Sequence, residues 1–209
     1  MKELKIFNKE LKRNEFRVTI FGSARIKKNS KIYKQVYDLG KEIGELGFDL
    51  VTGGGPGTME AADQGHQEGN KDSKAHTVGL AIILPKKQKI NDAVEIKRKF
   101  NRFSERLDNF MLLSNVIIVC PGGVGTLLEL LYTWQLLQVK QLSHIPVILL
   151  GNTWKGFIKW INDSPLESKF LNKKDIKLLH LTKNNKEAMD IVKKAHKLHL
   201  KGKYKNNYK

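Results

Sequence analysis

The chain has 209 residues, of which 40% are hydrophobic and 28% charged, and this balance indicates one globular domain with room for a core. No apolar run approaches the ~18 residues that span a membrane, and residues 1–17 lack the apolar stretch of a secretory signal. The net charge of +17 is spread along the chain without a nucleic-acid-binding motif. We therefore expect a solvated, lysine-rich surface rather than a protein whose main function is to bind nucleic acid.

Apolar runs and glycine turns alternate along the chain. The runs predict strands at 17–21, 48–52, 78–84, 116–120 and 145–150, with a weaker strand at 176–181. Helical spacing predicts helices from Ser30 to Gly47, from near Thr58, from about Ser104, over 127–138 and over 186–198, whereas 86–101 is interpreted as a polar loop. Strands separated by helices connect by right-handed crossovers. We therefore expect an α/β fold, Rossmann-like and doubly wound, with helices on both faces of a mostly parallel sheet.

The chain shows no internal repeat and no linker that would divide it. We expect residues 1–209 to form a single domain, with residues 1–16 as an N-terminal extension and about 201–209 as a basic, frayed tail. The single cysteine, Cys120, cannot form an internal disulfide and is expected to end a buried strand, which suits a reducing cytoplasm. The six histidines are scattered, and the pair His196 and His199 has no carboxylate or cysteine partner nearby, so we expect no metal ion.

Three turns follow predicted strands and should meet at one edge of the sheet. The carboxyl ends of parallel strands are where ligands collect in open α/β sheets, and glycines at a helix start let backbone N–H groups approach an anion. The candidate substrate- and phosphate-binding residues are Gly22, Ser23, Arg25, Gly53, Gly54, Gly55, Gly57, Thr58, Gly122, Gly123, Val124, Gly125 and Thr126. Tight turns that hold no ligand are the alternative interpretation of each glycine turn taken alone.

Neither glycine turn matches a common nucleotide motif. The Gly-Lys-Ser/Thr ending of a P-loop is missing, and residues 53–57 lack the spacing of the dinucleotide fingerprint. No acidic residue marks the end of the following strand, so hydride transfer with a dinucleotide is disfavoured. The turns therefore favour a single nucleotide-binding domain that takes a mononucleotide.

Taken together, these segments resemble the LOG ("Lonely guy") family, long labelled lysine decarboxylase-like. The family hallmark Pro-Gly-Gly-x-Gly-Thr-x-x-Glu is matched by residues 121–129, its glycine loop by residues 53–57, and its first nucleotide-contacting turn by residues 21–25. The similarity covers roughly residues 18–150. It implies a phosphoribohydrolase that cleaves a nucleoside 5′-monophosphate, cytokinin-type or AMP-like, into free base and ribose 5-phosphate without an organic cofactor.

The resemblance also assigns two catalytic residues, Arg106 and Glu129. Cleavage of a glycosidic bond builds positive charge on the ribose, which Glu129 is suited to stabilise while it orients or deprotonates water. The forked donors of Arg106 suit the 5′-phosphate or the ribose hydroxyls. The alternatives are a glutamate that stabilises its own helix dipole and an ion-paired helix arginine. The chain departs from the family pattern at Leu107, where most relatives carry a lysine, at Leu128, where an acid is common, and at Lys87, where many have a glutamate that contacts the nucleotide.

Two further expectations concern assembly and a rival function. The resemblance implies a homodimer, and the helix at 127–138 is apolar over much of its circumference, which indicates burial against both the sheet and a partner subunit. A related branch of the fold carries the molybdenum cofactor without turnover, so a non-catalytic nucleotide- or molybdenum-cofactor-binding protein is the alternative. Lysine decarboxylation is disfavoured, because the sequence singles out no lysine for a Schiff base with pyridoxal phosphate.

Overall fold

The computed structural model describes residues 2–72, 74–85, 89–143, 145–202 and 208. The strands are β1 (Arg17–Phe21), β2 (Asp49–Thr52), β3 (Thr77–Ile82), β4 (Ile96–Phe100), β5 (Val116–Val119), β6 (Val147–Leu150) and β7 (Leu179–Thr182). The helices are α1 (Lys2–Leu11), α2 (Lys31–Glu45), α3 (Thr58–Gly69), α4 (Phe103–Leu113), α5 (Val124–Gln138), α6 (Trp154–Ile161), α7 (Lys173–Ile176) and α8 (Asn185–Leu200). A π-helical turn at Asn162–Leu166 follows α6.

The strands form one seven-stranded sheet in the order β4-β3-β2-β1-β5-β6-β7, and every described pair is parallel. The predicted α/β, Rossmann-like fold is confirmed. The direction in which strands are added reverses between β1 and β5, which lie side by side with Val18 opposite Val116. A crevice opens at the carboxyl ends of strands at such a switch point. The topology therefore places the turns after β1 and β5 next to each other.

Hydrophobic clusters cover both faces of the sheet. Val36 of α2, Ala61 of α3 and Val192 of α8 belong to one cluster, and Phe110 of α4 and Leu130 of α5 belong to the other. Strands covered on both sides consist of continuous apolar runs rather than alternating patterns. This explains why four of the central strands could be recognised from sequence.

The structure differs from the sequence prediction in several elements; the weak strand predicted at 176–181, for example, is observed at Leu179–Thr182, after the short helix α7. Residues 96–100, predicted to be part of a polar loop, form the edge strand β4, in which only Ile96 and Phe100 are buried. Helix α5 begins at Val124 rather than at residue 127. Val124, Gly125 and Thr126 of the second glycine turn (residues 122–126) therefore belong to the first helical turn of α5. Within the N-terminal extension, α1 buries Phe7 against the core.

Buried ion pairs fix α1 at the amino ends of β1 and β2. The carboxylate of Glu10 accepts a hydrogen bond of 2.7 Å from Arg17, whose Nε lies 3.4 Å from Oδ2 of Asp49. Burial alone would raise the pKa of Glu10, but hydrogen bonds from Arg17 and Arg13 outweigh it and lower the pKa to about 2. Glu10, Asp49 and His76 bring potential ligand atoms within 4.8 Å of one another, but the two arginines already balance these carboxylates.

One residue of the predicted basic tail, Tyr208, contacts the body of the protein. The hydroxyl of Tyr208 donates to Oδ1 of Asp108 at 2.5 Å, and Asp108 also accepts from Tyr132. Residues 203–207 and 209 lie outside the described residues. Over the ranges that are described, no helix combines the length and the apolar character that crossing a bilayer requires.

Candidate functional site

A cleft of about 460 Å³ opens at the carboxyl ends of the central strands. Its walls are the turn after β1 (residues 22–25), the turn after β2 (residues 53–55), the segment after β3 (residues 82–90, in part), the start of α4 and the start of α5. This is the switch-point crevice that the strand order predicts.

The structure brings most of the sequence-predicted residues into this cleft. The lining includes Gly22, Ser23, Arg25, Gly53, Gly54, Gly55, Arg106, Gly123, Val124, Gly125, Thr126 and Glu129. Gly57, Thr58 and Gly122 do not line it. Lys86, Lys87 and Gln88 lie outside the described residues, and so does the departure from the family pattern at Lys87.

Arg106 and Glu129 form a buried ion pair at the base of the cleft. Nη1 of Arg106 donates to Oε1 of Glu129 at 2.9 Å, and its Nε donates to the carbonyl oxygen of Leu80 at 2.6 Å. The guanidinium carbon also lies 4.8 Å from the ring centre of Phe110. These contacts hold the guanidinium in one orientation, with Nη2 left facing Gly53.

The electrostatics of Glu129 are set by its burial. Only 7% of the residue is exposed. Burial raises the pKa of Glu129 to about 7, although the charge and hydrogen bond of Arg106 act in the opposite direction. A carboxyl group with such a pKa exchanges its proton near neutral pH, which suits a general acid or base. Glu129 therefore has chemistry that an ordinary first-turn glutamate lacks.

The guanidinium of Arg106 packs directly on the turn after β2. A Cβ at Gly53 would collide with Nη2 of Arg106 and would lie 2.7 Å from the sulfur of Met59. A side chain at this position would therefore have to displace the ends of Arg106 and Met59. The glycine turn is the wall against which the arginine is held.

The two glycine turns differ in what they offer to a ligand. At α3 the N–H of Thr58 donates to the carbonyl oxygen of Ser23 at 3.0 Å. Gly57 has φ of +71°, and a Cβ there would lie 2.5 Å from the same oxygen. The turn after β1 therefore occupies this helix start, and the helix start supports that turn. Gly57 and Thr58 lie behind the cleft and have a structural role.

The start of α5 is open. Val124 is 85% exposed, and no side chain caps the helix. A Cβ at Gly123 or Gly125 would meet no described atom within 4 Å, whereas Gly122 packs on Thr126 behind the cleft. The first N–H groups of a helix have no partner within it, and they carry the positive end of its dipole. Of the two glycine turns, the second is thus the one that can accept an anion.

The cleft combines positive charge with an apolar wall. Arg25 and Lys89 lie in the lining with Arg106, and Glu129 is the sole carboxylate among the described lining residues. Lys89, which the sequence analysis did not single out, also pairs with Asp92 at 3.0 Å on the surface.

The apolar wall lies on the β3 and α4 side of the cleft. Ile82, Leu84 and Phe103 line it, and Phe103 is 48% exposed. Of the residues that depart from the family pattern, Leu107 is buried and Leu128 is exposed, and both lie outside the lining. The cleft can therefore take an anion at one end and a flat apolar group at the other.

A buried polar network behind the turn after β2 was missed by the sequence analysis. The carboxylate of Asp63 accepts from the hydroxyl of Thr52 at 2.9 Å and from Nδ2 of Asn91 at 2.7 Å. Burial raises the pKa of Asp63 to about 7. Asn91 falls in the stretch interpreted as a polar loop, and no sequence pattern links it to a helix residue so far away.

Cys120 follows β5 directly, and its side chain is buried. Burial raises the pKa of its thiol to about 12, so the thiolate that nucleophilic chemistry needs is not formed near neutral pH. The prediction that this cysteine is a buried residue is confirmed.

The chain is similar in sequence to a known protein family and to several named proteins. Residues 59–192 match the family model described as "Possible lysine decarboxylase". A pyrimidine/purine nucleotide 5′-monophosphate nucleosidase of Escherichia coli (strain K12) is 31% identical over 144 residues, which are 64% of this chain and 30% of that protein. A probable cytokinin riboside 5′-monophosphate phosphoribohydrolase of Oryza sativa subsp. japonica is 30% identical over 161 residues, 73% of this chain and 72% of the rice protein.

A solved structure with the same fold belongs to a carrier. The molybdenum cofactor carrier protein of Chlamydomonas reinhardtii has a TM-score of 0.59 and 27% identity, and the match covers 88% of this chain and 99% of that one. The chain spans less than a third of the length of the Escherichia coli protein that it matches. The relatives thus include two proteins named as nucleotide-cleaving enzymes and one named as a carrier.

Proposed function

This chain belongs to the LOG family, and we propose that it hydrolyses the N-glycosidic bond of a nucleoside 5′-monophosphate. Water is consumed, and the products are the free base and ribose 5-phosphate. The observation that carries this proposal is the buried Arg106–Glu129 pair beside the open start of α5 in one cleft. The names of the Escherichia coli and rice relatives support the same reaction.

The 5′-phosphate binds at the start of α5. Backbone N–H groups from Gly123 to Thr126 surround it, and the guanidinium of Arg25 approaches from the turn after β1. Since the α3 helix start is filled by Ser23, the cleft offers one such anion site from its glycine turns, which matches one phosphate group. Binding energy from the phosphate then positions the ribose for reaction.

Glu129 acts on the anomeric carbon. Its ionised carboxylate stabilises the positive charge that develops on the ribose ring and takes a proton from the attacking water, while the departing base takes up a proton and leaves as the neutral free base. Arg106 keeps the carboxylate in place through its 2.9 Å bond and offers its remaining N–H groups to the ribose hydroxyls or the phosphate. With a pKa of about 7, the carboxyl is ionised in about half of the molecules at neutral pH.

The base lies against the apolar wall formed by Ile82, Leu84 and Phe103. These side chains have no donors or acceptors, so they favour a flat ring by its shape rather than by the polar pattern of its edge. We therefore expect flat bases in general to be accepted, among them adenine-type bases with or without an apolar N6 substituent.

The test is base release from a panel of monophosphates. AMP, GMP, CMP, UMP and an isopentenyladenine monophosphate are incubated with the protein, and free base and ribose 5-phosphate are quantified together. Glu129→Gln should bind nucleotide yet lose turnover by about 10²-fold or more. Equal loss of binding and turnover would argue against the assigned role, and the absence of release from every nucleotide would refute the hydrolase.

The alternative function is that of a carrier for the molybdenum cofactor or a nucleotide. The fold shared with the Chlamydomonas reinhardtii carrier favours it. A carrier retains its ligand unchanged, so equilibrium dialysis with nucleotide followed by chromatography of the bound fraction separates the two functions. Intact nucleotide on the protein after prolonged incubation supports the carrier, whereas free base supports the hydrolase.

We further propose that the protein is a homodimer of the cytoplasm. Leu128 and Leu131, spaced along α5, are 42% and 46% exposed, which is unusual for two large apolar side chains on one helix. A second copy covering this surface accounts for both. Light scattering should give about twice the chain mass of 23.9 kDa, and a monomeric mass would contradict the assembly.

A further inference from the structure

We propose that Asn91 and Asp63 are positioning residues, which hold the turn at residues 53–55 against Arg106 and so keep the Arg106–Glu129 pair in a dry, fixed geometry. Neither side chain lines the cleft, and both act through the backbone of the turn. The kinetic part of this inference rests on the proposed hydrolase function. Its structural part, the environment of Glu129, does not.

Asn91 bonds to the turn through its main chain and its side chain. Its N–H donates to the carbonyl oxygen of Gly54 at 2.8 Å, and its Nδ2 donates to that of Gly55 at 3.1 Å. The orientation of the amide is fixed, because Oδ1 accepts from the N–H of Ala93 at 3.2 Å. Asn91 thereby joins the turn after β2 to the segment after β3, two walls of the cleft.

Asp63 of α3 closes the network from the other side. Its carboxylate accepts from Nδ2 of Asn91 and from the hydroxyl of Thr52, and that hydroxyl in turn accepts from the N–H of Gly54 at 2.9 Å. Asp63 and Thr52 are fully buried, so the loss of one partner leaves the others without a solvent replacement. Glu60, on the same helix, is the charged group that acts on Asp63.

The constraint reaches the ion pair through Gly53. The backbone of Gly53 packs on Nη2 of Arg106, whose Nη1 holds Glu129. Arg106, Arg25 and Lys89 are the charged groups that line the cleft with Glu129. If the turn is released, water reaches the guanidinium and the carboxylate, and the burial that raises the pKa of Glu129 is reduced.

The experiment compares Asn91→Ala and Asp63→Ala with a matched control, Asn115→Ala. Asn115 is also a buried asparagine, and its Oδ1 accepts from the N–H of Arg17 at 2.8 Å, but it lies at the amino edge of the sheet. Two conservative variants complete the set. Asp63→Asn keeps the shape of the side chain and an acceptor for Asn91. Thr52→Val removes only the hydroxyl and replaces the alanine variants if these do not fold.

The first readout is the titration of the Glu129 carboxyl by ¹³C NMR, assigned as the signal missing in Glu129→Gln. The wild-type midpoint should lie near 7 and fall towards 4.5 in Asn91→Ala, Asp63→Ala and Thr52→Val. Asp63→Asn should restore most of the wild-type value, and Asn115→Ala should lower the melting temperature without moving the midpoint. The second readout is the acid limb of kcat/KM for base release, which should shift in parallel, with a loss of about 10- to 100-fold in kcat/KM.

The outcomes separate this inference from the proposed function. A shifted carboxyl midpoint supports the positioning role even if the wild type releases no base, which would refute the hydrolase alone. Base release by the wild type with an unchanged midpoint in the network variants would overturn the positioning role alone. If Asn91→Ala and Asn115→Ala lower the melting temperature equally and do not differ in carboxyl midpoint or kcat/KM, Asn91 has only a structural role. That result would also overturn the positioning role.

Discussion

Replacement of Glu129 by glutamine should make the protein more stable relative to the wild type as the pH rises. The variant keeps the size of the side chain but cannot ionise. In the wild type the carboxyl has a pKa of about 7 in the folded state, compared with a usual value of 4.5. Between these two values the folded state holds a proton that the unfolded state has lost, so the stability of the wild type falls with rising pH over this window.

The size of the effect follows from the same two values. A tenfold change in an equilibrium constant corresponds to about 1.4 kcal/mol, so the rise from 4.5 to about 7 corresponds to about 3 kcal/mol at full ionisation. Glutamine carries no such cost. Between about pH 5 and about pH 8 the difference in unfolding free energy between variant and wild type should move by about 2–3 kcal/mol in favour of glutamine.

Urea unfolding of both proteins at the two pH values measures this difference. Asp63 and Asp49 also titrate between these limits, with pKa values raised by burial to about 7 and about 6, but they are present in both proteins and cancel in the subtraction. Glu105→Gln, an exposed glutamate of α4, serves as the control and should show no such movement. A variant-minus-wild-type difference that stays constant with pH would refute the desolvation of Glu129.

Three further predictions concern the cleft and its supports. Arg106→Lys should lower kcat/KM by about 10²-fold, because an ammonium group cannot make the forked bonds of the guanidinium, and full activity would contradict its role. Gly57→Ala should lower the free energy of unfolding by at least about 2 kcal/mol, because its φ of +71° and the close carbonyl oxygen of Ser23 both disfavour a Cβ. Gly123→Ala, where a Cβ meets no described atom, should leave the melting temperature within about 2 °C of wild type. Cys120 should react with a disulfide reagent at about pH 8 only after unfolding, and rapid labelling of the native protein would show that the thiol is accessible.

Most of the fold could be predicted because its central strands are continuous apolar runs. The edge strand β4 was missed because its three middle residues, Lys97, Arg98 and Lys99, are all charged and give no apolar pattern. An edge strand can be formed with only part of its length buried. The helix α1 was missed for a different reason. It is held by the burial of Phe7 and by the pairing of Glu10 with Arg17, and local sequence does not reveal that pairing.

The candidate site was predictable in composition and less so in geometry. Arg106 and Glu129, 23 positions apart, were brought together by resemblance, and the structure now places their side chains 2.9 Å apart. Local sequence cannot tell which of two glycine turns is open, because the α3 turn is filled by the carbonyl oxygen of Ser23, which any residue type would supply. The same limit applies to Asn91, whose importance lies in backbone acceptors across the cleft.

The central position of β1 has a consequence for how the nascent chain matures. One of its two edges stays unpaired until β5, nearly a hundred residues further along the chain, has been synthesised. The turns after β1 and β2 are therefore synthesised before Arg106 and Glu129, and a ligand cannot assist assembly of the cleft until these later residues are present. A fragment trimmed to residues 59–192, the part that the family model matches, would lack the middle of the sheet and should not assemble the cleft.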